Sequence, residues 1–337
     1  MKETENKRKM KAVICPKYGP AKVLKLTEID IPHPNENEVL IRNYGSSINT
    51  VDIVYRLGKA PKGLFWAFRP LVGPAIRHSA GGFRKPKKRI PGFGFAGEIV
   101  SVGKEVTNWQ VGNHVYGYNP PGGTYAEFIV VSPSTLAKKP TNLSFQEAAA
   151  VPGGASPALS AFRDIARPKK GQKVLIIGAS GGIGTFAVQM AKYIYEAEVT
   201  GVCGSTNLDM VQEIGADFVI DYHKEDYTKN NKKYDLIFDA IGAGTFSKCR
   251  NILTAEGLFV TTNPVIRPKN LFHVNNSNFR VCKADDSADA LNLLREWIES
   301  GKIKPVIDTV YSLSQTAEAH RHYETGHSKG RVVISIN

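Results

Sequence analysis

The run Val174-Leu175-Ile176-Ile177-Gly178-Ala179-Ser180-Gly181-Gly182-Ile183-Gly184 constrains the fold of this chain more than any other segment. An apolar stretch of strand length enters a glycine-rich turn, and an apolar helix carrying Phe186, Ala187, Val188, Met190 and Ala191 leaves it. In that context each glycine has a task. Gly181 lets the backbone approach a pyrophosphate, Gly184 lets the helix pack closely on the strand, and the free N–H groups at the helix start bind the anion. Ala179, Ser180, Gly181, Gly182, Ile183 and Gly184 are therefore candidate cofactor contacts.

The next strand, Glu198 to Cys203, ends at Gly204-Ser205-Thr206-Asn207. This is about twenty residues past the last motif glycine, where an NAD-specific fold places an Asp or Glu on the ribose 2′-hydroxyl. With no carboxylate in the turn to repel a 2′-phosphate, and with hydroxyl and amide donors at Gly204, Ser205, Thr206 and Asn207, NADPH is the expected cofactor. NADH, or use of either dinucleotide, is the alternative. Because the turn holds no Arg or Lys, contacts are expected from elsewhere: Tyr222 at the end of the third strand, or Lys329 and Arg331 near the C-terminus.

Around this motif the chain changes period. From Met10 to about Val131, short strand candidates alternate with Gly and Pro turns, which reads as a β domain. From about Asn142, strands alternate with amphipathic helical segments, which implies an α/β unit with a parallel sheet wound on both faces. After a helix from Ala288 to Ser300 the text returns to short strands, ending Arg331 to Ile336. A length of 337 residues exceeds one typical core. The expected fold class is α/β, a β domain (1–142 and 285–337) interrupted by a Rossmann-type, doubly wound domain (143–284).

The net charge of +13 is concentrated in the N-terminal tail and in Arg56 to Arg89, which has ten Lys or Arg and no acid. Such a patch favours anions, with a solvated basic loop the plain alternative. Phe65, Trp66 and Phe68 lie in this loop, either lining a substrate entrance or covering a small satellite core. The four cysteines are scattered without a CxxC pair, so neither a disulfide framework nor a zinc knuckle is indicated, and reduced, buried thiols are expected. No stretch reads as a membrane span, and the charged N-terminus lacks the apolar run of a signal peptide, so the expected location is cytoplasmic.

Ordered matches along nearly the whole chain resemble the medium-chain dehydrogenase/reductase superfamily, in its zinc-free quinone oxidoreductase (zeta-crystallin-like) branch. They include Ser47-Ile48-Asn49-Thr50-Val51-Asp52, Pro91-Gly92 with Ala96-Gly97-Glu98, Val111-Gly112-Asn113-His114-Val115, and Gly123-Thr124-Tyr125-Ala126-Glu127-Phe128. Beyond the glycine turn follow Gly215-Ala216-Asp217, Ile220-Asp221-Tyr222, Phe238-Asp239-Ala240-Ile241-Gly242 and Gly301-Lys302. The resemblance implies a GroES-like β domain around the Rossmann domain, an active site in the cleft between them, a cofactor contact at Ile241, and a homodimer pairing the Rossmann sheets near Phe279 to Lys283. Zinc-dependent members place a cysteine and a histidine where this chain has Ile48 or Asn49 and Phe93, which cannot ligate zinc, so no zinc is expected.

What remains is hydride transfer from a nicotinamide to a quinone or an α,β-unsaturated carbonyl, with donors needed at the carbonyl oxygen. Asn49 matches the family position that orients or polarises that group, and it also suits the cap of the helix that follows. Tyr55 is a proton-donor candidate, although the family tyrosine falls nearer Val54; Tyr125 reads as packing. Where the family often has Thr before the first Rossmann helix, this chain reads Gly154-Ala155-Ser156-Pro157-Ala158, so that hydroxyl contact to the cofactor is lost or moves to Ser156. Two other functions stay open: a zinc-free NAD(P)-dependent alcohol or aldehyde reductase, and an NADPH-sensing nucleic-acid-binding protein using the basic loop, although no RNA or DNA motif is present.

Overall fold

A computed structural model describes residues 8–58, 85–86, 89–262, 273 and 276–337. The N-terminal tail and most of the basic, aromatic loop anticipated over 58–90, with Phe65, Trp66 and Phe68, lie outside the described residues.

In chain order the first half holds β1 (Lys9–Ile14), β2 (Lys25–Asp30), β3 (Val39–Ser47), α1 (Thr50–Leu57), β4 (Gly94–Val102), β5 (His114–Tyr118), β6 (Phe128–Val131) and β7 (Leu136–Lys138). Helices α2 (Phe145–Ala150) and α3 (Pro152–Leu159) follow back to back. Ser144 and Glu147 close a capping box on the first, and Pro152 takes the opening position of the second, where its missing N–H costs nothing.

The parallel unit comprises β8 (Lys173–Ile177), α4 (Gly184–Gln189), β9 (Glu198–Cys203), α5 (Leu208–Glu213), β10 (Phe218–Asp221), β11 (Tyr234–Asp239), α6 (Phe246–Cys249), β12 (Leu253–Thr261) and β13 (Phe279–Val281). The chain closes with α7 (Ala288–Glu299), β14 (Ile307–Ser312), α8 (Thr316–Glu324) and β15 (Arg331–Ser335).

Beside a two-stranded antiparallel sheet of β1 and β2, two larger sheets organise these elements. One is six-stranded and parallel, in the order β10-β9-β8-β11-β12-β13, with the reversal of order between β8 and β11. Its central strand is covered on both faces: Val174, Leu175, Ile176 and Ile177 are all buried. The other runs β14-β15-β3-β4-β5-β7, with β6 also on β3. The last strand thus crosses the length of the chain to pair antiparallel with β3, Val333 opposite Ser47. The α/β class, with a mainly antiparallel β unit and a doubly wound parallel sheet, is the one anticipated.

The differences are local. The helix expected over Gly182–Ile194 begins at Gly184 and widens into a π turn over Met190–Ile194. Strand β7, three residues long, is too short for a periodic signal. All four cysteines are free and buried, as expected. Among the described residues no helix is long and apolar enough to cross a membrane.

Candidate active site

A crevice opens beyond the carboxyl ends of β8, β11 and β12, where the strand order reverses and a doubly wound sheet binds its ligands. A cavity of about 530 Å³ there is lined by residues of both units, among them Asn49, Tyr118, Gly182, Ile241 and Arg331.

The glycine turn forms one wall. Gly178 takes φ +78, a left-handed value that glycine adopts without strain, and its N–H bonds to Val202. A Cβ at Gly184 would stand 2.0 Å from the Gly178 carbonyl oxygen, so only glycine lets the helix sit this close to the strand. At Gly181 the nearest atom to such a Cβ is 3.5 Å away, leaving the open approach that the pyrophosphate reading requires. Gly182 is glycine for a reason the sequence did not reveal: the stem of Arg331 lies 2.8 Å from where its Cβ would be.

The C-terminal segment meets this turn directly. The Gly330 N–H donates to the Ser180 carbonyl at 2.8 Å, and the Lys329 Nζ to the Thr206 carbonyl at 3.3 Å. Lys329 therefore stands beside the turn it was expected to serve, whereas the Arg331 side chain lies against Gly182 of the glycine turn instead. Ser205, Asn207 and Tyr222 gather at the same end: Asn207 donates to Ser180 Oγ at 3.2 Å, and the Tyr222 hydroxyl flanks Gly204. The structure adds Asp221, whose carboxylate accepts from Ser205 Oγ at 2.5 Å and from the His223 N–H. Those bonds hold its pKa below the usual carboxylate range. The turn of β9 lacks a carboxylate of its own, but the neighbouring strand supplies one, with Lys224 3.8 Å from it.

Arg331 joins this wall to the opposite one. It is buried, and its Nη2 donates to Asn49 Oδ1 at 2.6 Å and to Ser47 Oγ at 3.2 Å, while its Nε has no partner among the described residues. Asn49 precedes α1, and both its backbone N–H (2.7 Å) and its Nδ2 (3.3 Å) donate to Asp52 Oδ2. An arginine only donates and a carboxylate only accepts, so the orientation of the Asn49 amide is fixed by its neighbours. Its Nδ2 also reaches the Ser47 carbonyl at 3.2 Å, which leaves no free amide hydrogen for a carbonyl substrate. Asn49 is thus placed as an orienter of Arg331 and a helix cap at once. Asp52 is fully buried, and that desolvation pushes its carboxyl up to about 7 against the pull of its N–H donors and of Arg331.

Tyr55, the expected proton donor, does not line the cavity. Its ring meets Phe93 edge-on at 6.2 Å, and burial raises its phenol further from protonic use. Tyr118 and Tyr323 are the lining phenols instead. Tyr118 stacks on the same Phe93 at 5.6 Å, and Tyr323 shares a hydrogen bond of 3.0 Å with Thr50, also a lining residue. Only the fold brings them in; nothing in their local sequence marks them. Tyr125 is fully buried and bonded to His320, a packing residue as read. Ser156 is buried on α3 behind the cavity wall with an unpartnered hydroxyl, and Ile241 is half-exposed at the wall itself. The turn bearing Ile241 is held by Asp239, whose carboxylate accepts the backbone N–H groups of Ile241, Ala243 and Gly244. Among the described residues no three His, Cys, Asp or Glu side chains converge.

A Rossmann sheet whose switch point faces a GroES-like β unit across such a crevice defines an oxidoreductase. The chain belongs to the medium-chain dehydrogenase/reductase superfamily. Residues 35–141 match the alcohol dehydrogenase GroES-like domain, and residues 214–334 match the family described as zinc-binding dehydrogenase. The 2-methylene-furan-3-one reductase of Solanum lycopersicum is 32% identical over 96% of this chain and 79% of its own length. The chloroplastic NADPH-dependent alkenal/one oxidoreductase of Arabidopsis thaliana is 32% identical over 97% of this chain and 80% of its own. Among solved structures, the quinone oxidoreductase from Coxiella burnetii superposes with a TM-score of 0.84 at 27% identity, covering 98% of this chain and all of that one.

Proposed function

We propose that the chain is a zinc-independent reductase that uses NADPH to deliver hydride to a quinone or an α,β-unsaturated carbonyl. The observation that carries the reading is Arg331, a buried cation with one N–H unspent, fixed by Asn49 and pressed against Gly182 of the glycine turn. The residues fit a dinucleotide: an open approach at Gly181, a crevice at the switch point, and unsatisfied donors around it. Ala179 to Gly184 would hold the pyrophosphate, Gly204 to Asn207 with Tyr222 and Lys329 the phosphorylated ribose, and Ile241 the nicotinamide side.

When bound, the dinucleotide supplies the hydride. As hydride reaches the electrophilic carbon, negative charge grows on the carbonyl oxygen, and Arg331 is the fixed positive group that stabilises it. Asn49 positions that guanidinium. The hydrogen-bonded Thr50 and Tyr323 hydroxyls, at the cavity wall, are the groups placed to return a proton to the product. Ile48, Asn49 and Phe93 stand where zinc ligands would be needed, and none of them is one.

Preference for NADPH rests on Lys329, Lys224, Tyr222 and His223 grouped about Gly204, with the charge of Asp221 engaged by Ser205. The reading divides the chain at 142/143 and 284/285, pairs two copies along the free edge of β13, and places the enzyme in the cytoplasm.

The test is turnover of purified protein with NADPH and NADH across quinones, enones, saturated ketones and alcohols, before and after chelation. NADPH consumption with quinones or enones, untouched by chelator, is expected. No consumption with any of them sinks the proposal, and turnover confined to saturated carbonyls or alcohols would favour the zinc-free alcohol or aldehyde reductase instead.

A further inference from the structure

Two adjacent carboxylates follow β13 and are treated differently by the fold. Asp285 is paired with Arg163 Nη2 at 2.7 Å and accepts the Ser287 N–H at 3.1 Å. Asp286 lines the crevice with Tyr118, Gly153, Pro157, Thr262 and Lys283, yet its Oδ1 is shut off from solvent with no hydrogen-bond donor among the described residues. Among the described residues it makes no ion pair. The buried Ser156 hydroxyl lies beside it without an aligned bond, and that hydroxyl too has no partner. A desolvated carboxylate with a bare oxygen costs free energy, and such a group in a native structure calls for a hydrogen-bond donor.

The sheet order says which partner. Donors for a phosphorylated ribose gather at the ends of β9 and β10, on one side of the glycine turn. A dinucleotide centred on that turn extends its other nucleoside over the ends of β11, β12 and β13, past Ala240 and Thr262 to Asp286. The polar N–H donor on that nucleoside is a primary carboxamide.

We propose that Asp286 is a cofactor-positioning residue whose carboxylate accepts an amide N–H of the nicotinamide carboxamide and so fixes the ring's rotation in the crevice. Burial raises this carboxyl to about 6, the state expected of a site waiting for a donor. The inference rests on the dinucleotide reading above.

It is tested by equilibrium binding of three probes to the wild-type chain and to Asp286→Ala: NADP, its 3-acetylpyridine analogue, in which a methyl replaces the amide nitrogen, and 2′-phospho-ADP-ribose, which lacks the nicotinamide. The wild type is expected to bind NADP about tenfold tighter than the analogue, the worth of one charge-assisted hydrogen bond. In the variant that ratio falls to near one, while affinity for the ribose fragment is unchanged. Asp286→Leu, which fills the site with apolar atoms, serves if the alanine variant folds poorly, and its ligand-free melting temperature should hold or rise, because an unpaired desolvated carboxylate has been removed. An unchanged ratio in either variant, or no discrimination by the wild type, overturns the role of Asp286 alone. Failure of the wild type to bind all three probes overturns the dinucleotide reading and this inference with it.

Discussion

Arg331 and Asn49 show how much of the site's chemistry depends on single side chains. Replacing Asn49 by Ala leaves the guanidinium buried without its shortest acceptor, and a lost hydrogen bond to a charge is worth about 1.5–3 kcal/mol. The catalytic efficiency of Asn49→Ala is therefore expected to fall roughly ten- to hundredfold, the drop seen mainly in kcat if the cation acts on the developing oxyanion. His320 offers a test of stability instead. Complete burial, with Arg56 nearby, lowers its pKa from 6.5 to about 3, so the folded state refuses a proton that the unfolded chain accepts. Stability is then whole above the ordinary histidine pKa and declines as pH falls below it, by about 2–3 kcal/mol at pH ~4.5. Asp52, raised to about 7, has the opposite sign: its contribution is present in acid and is lost as pH rises through that value. Unfolding curves of wild type and His320→Asn taken at matched pH cancel the Asp52 slope. The variant should lose less stability than the wild type between pH ~7 and ~4.5, and parallel curves would contradict this.

At the scale of elements, the glycine turn separates packing from binding. In Gly184→Ala the added Cβ strikes a backbone carbonyl that cannot retreat without opening the strand–helix junction, so the variant should melt well below wild type, with overpacking costs of about 1–3 kcal/mol or more. In Gly181→Ala the added methyl meets nothing closer than van der Waals range, so melting should be nearly unchanged while dinucleotide affinity drops. Equal melting losses in the two would remove the distinction. This turn was legible in the sequence because a strand, its glycines and a helix are neighbours in the chain. So was Glu198–Cys203, whose apolar and β-branched run ends at turn residues. The site's other half was not. Tyr118, Tyr323 and Asp286 reach the crevice from three distant segments, and Asn49 meets Arg331 only because β15 folds back on β3. Tyr55, next to the position the family resemblance suggested, turns to Phe93, because on a helix one residue's difference swings a side chain by about 100°.

For the molecule as a whole, the parallel sheet ends at β13, which pairs with β12 on one side and leaves the other edge open among the described residues. An uncovered edge invites a second copy, which is the basis for the dimer. Sedimentation should give twice the chain mass, and Val281→Pro, which removes an N–H directed away from β12 toward the open edge, should shift it to the monomer with dinucleotide binding kept. A wild-type monomer would reject the pairing. Arg56 illustrates the limit of reading charge from composition: counted within a basic stretch, it is fully buried, bonded to the Gly19 carbonyl and paired with Glu324.

The Gly330 N–H held by the Ser180 carbonyl ties the start of the last strand to the turn that would receive the pyrophosphate. Amides of Arg331 to Ser335 therefore act as a gauge of what happens at that turn, although the strand belongs to the other sheet. Hydrogen exchange there should slow when NADP binds, and the extent of slowing would report how firmly the two halves of the enzyme are clasped around it.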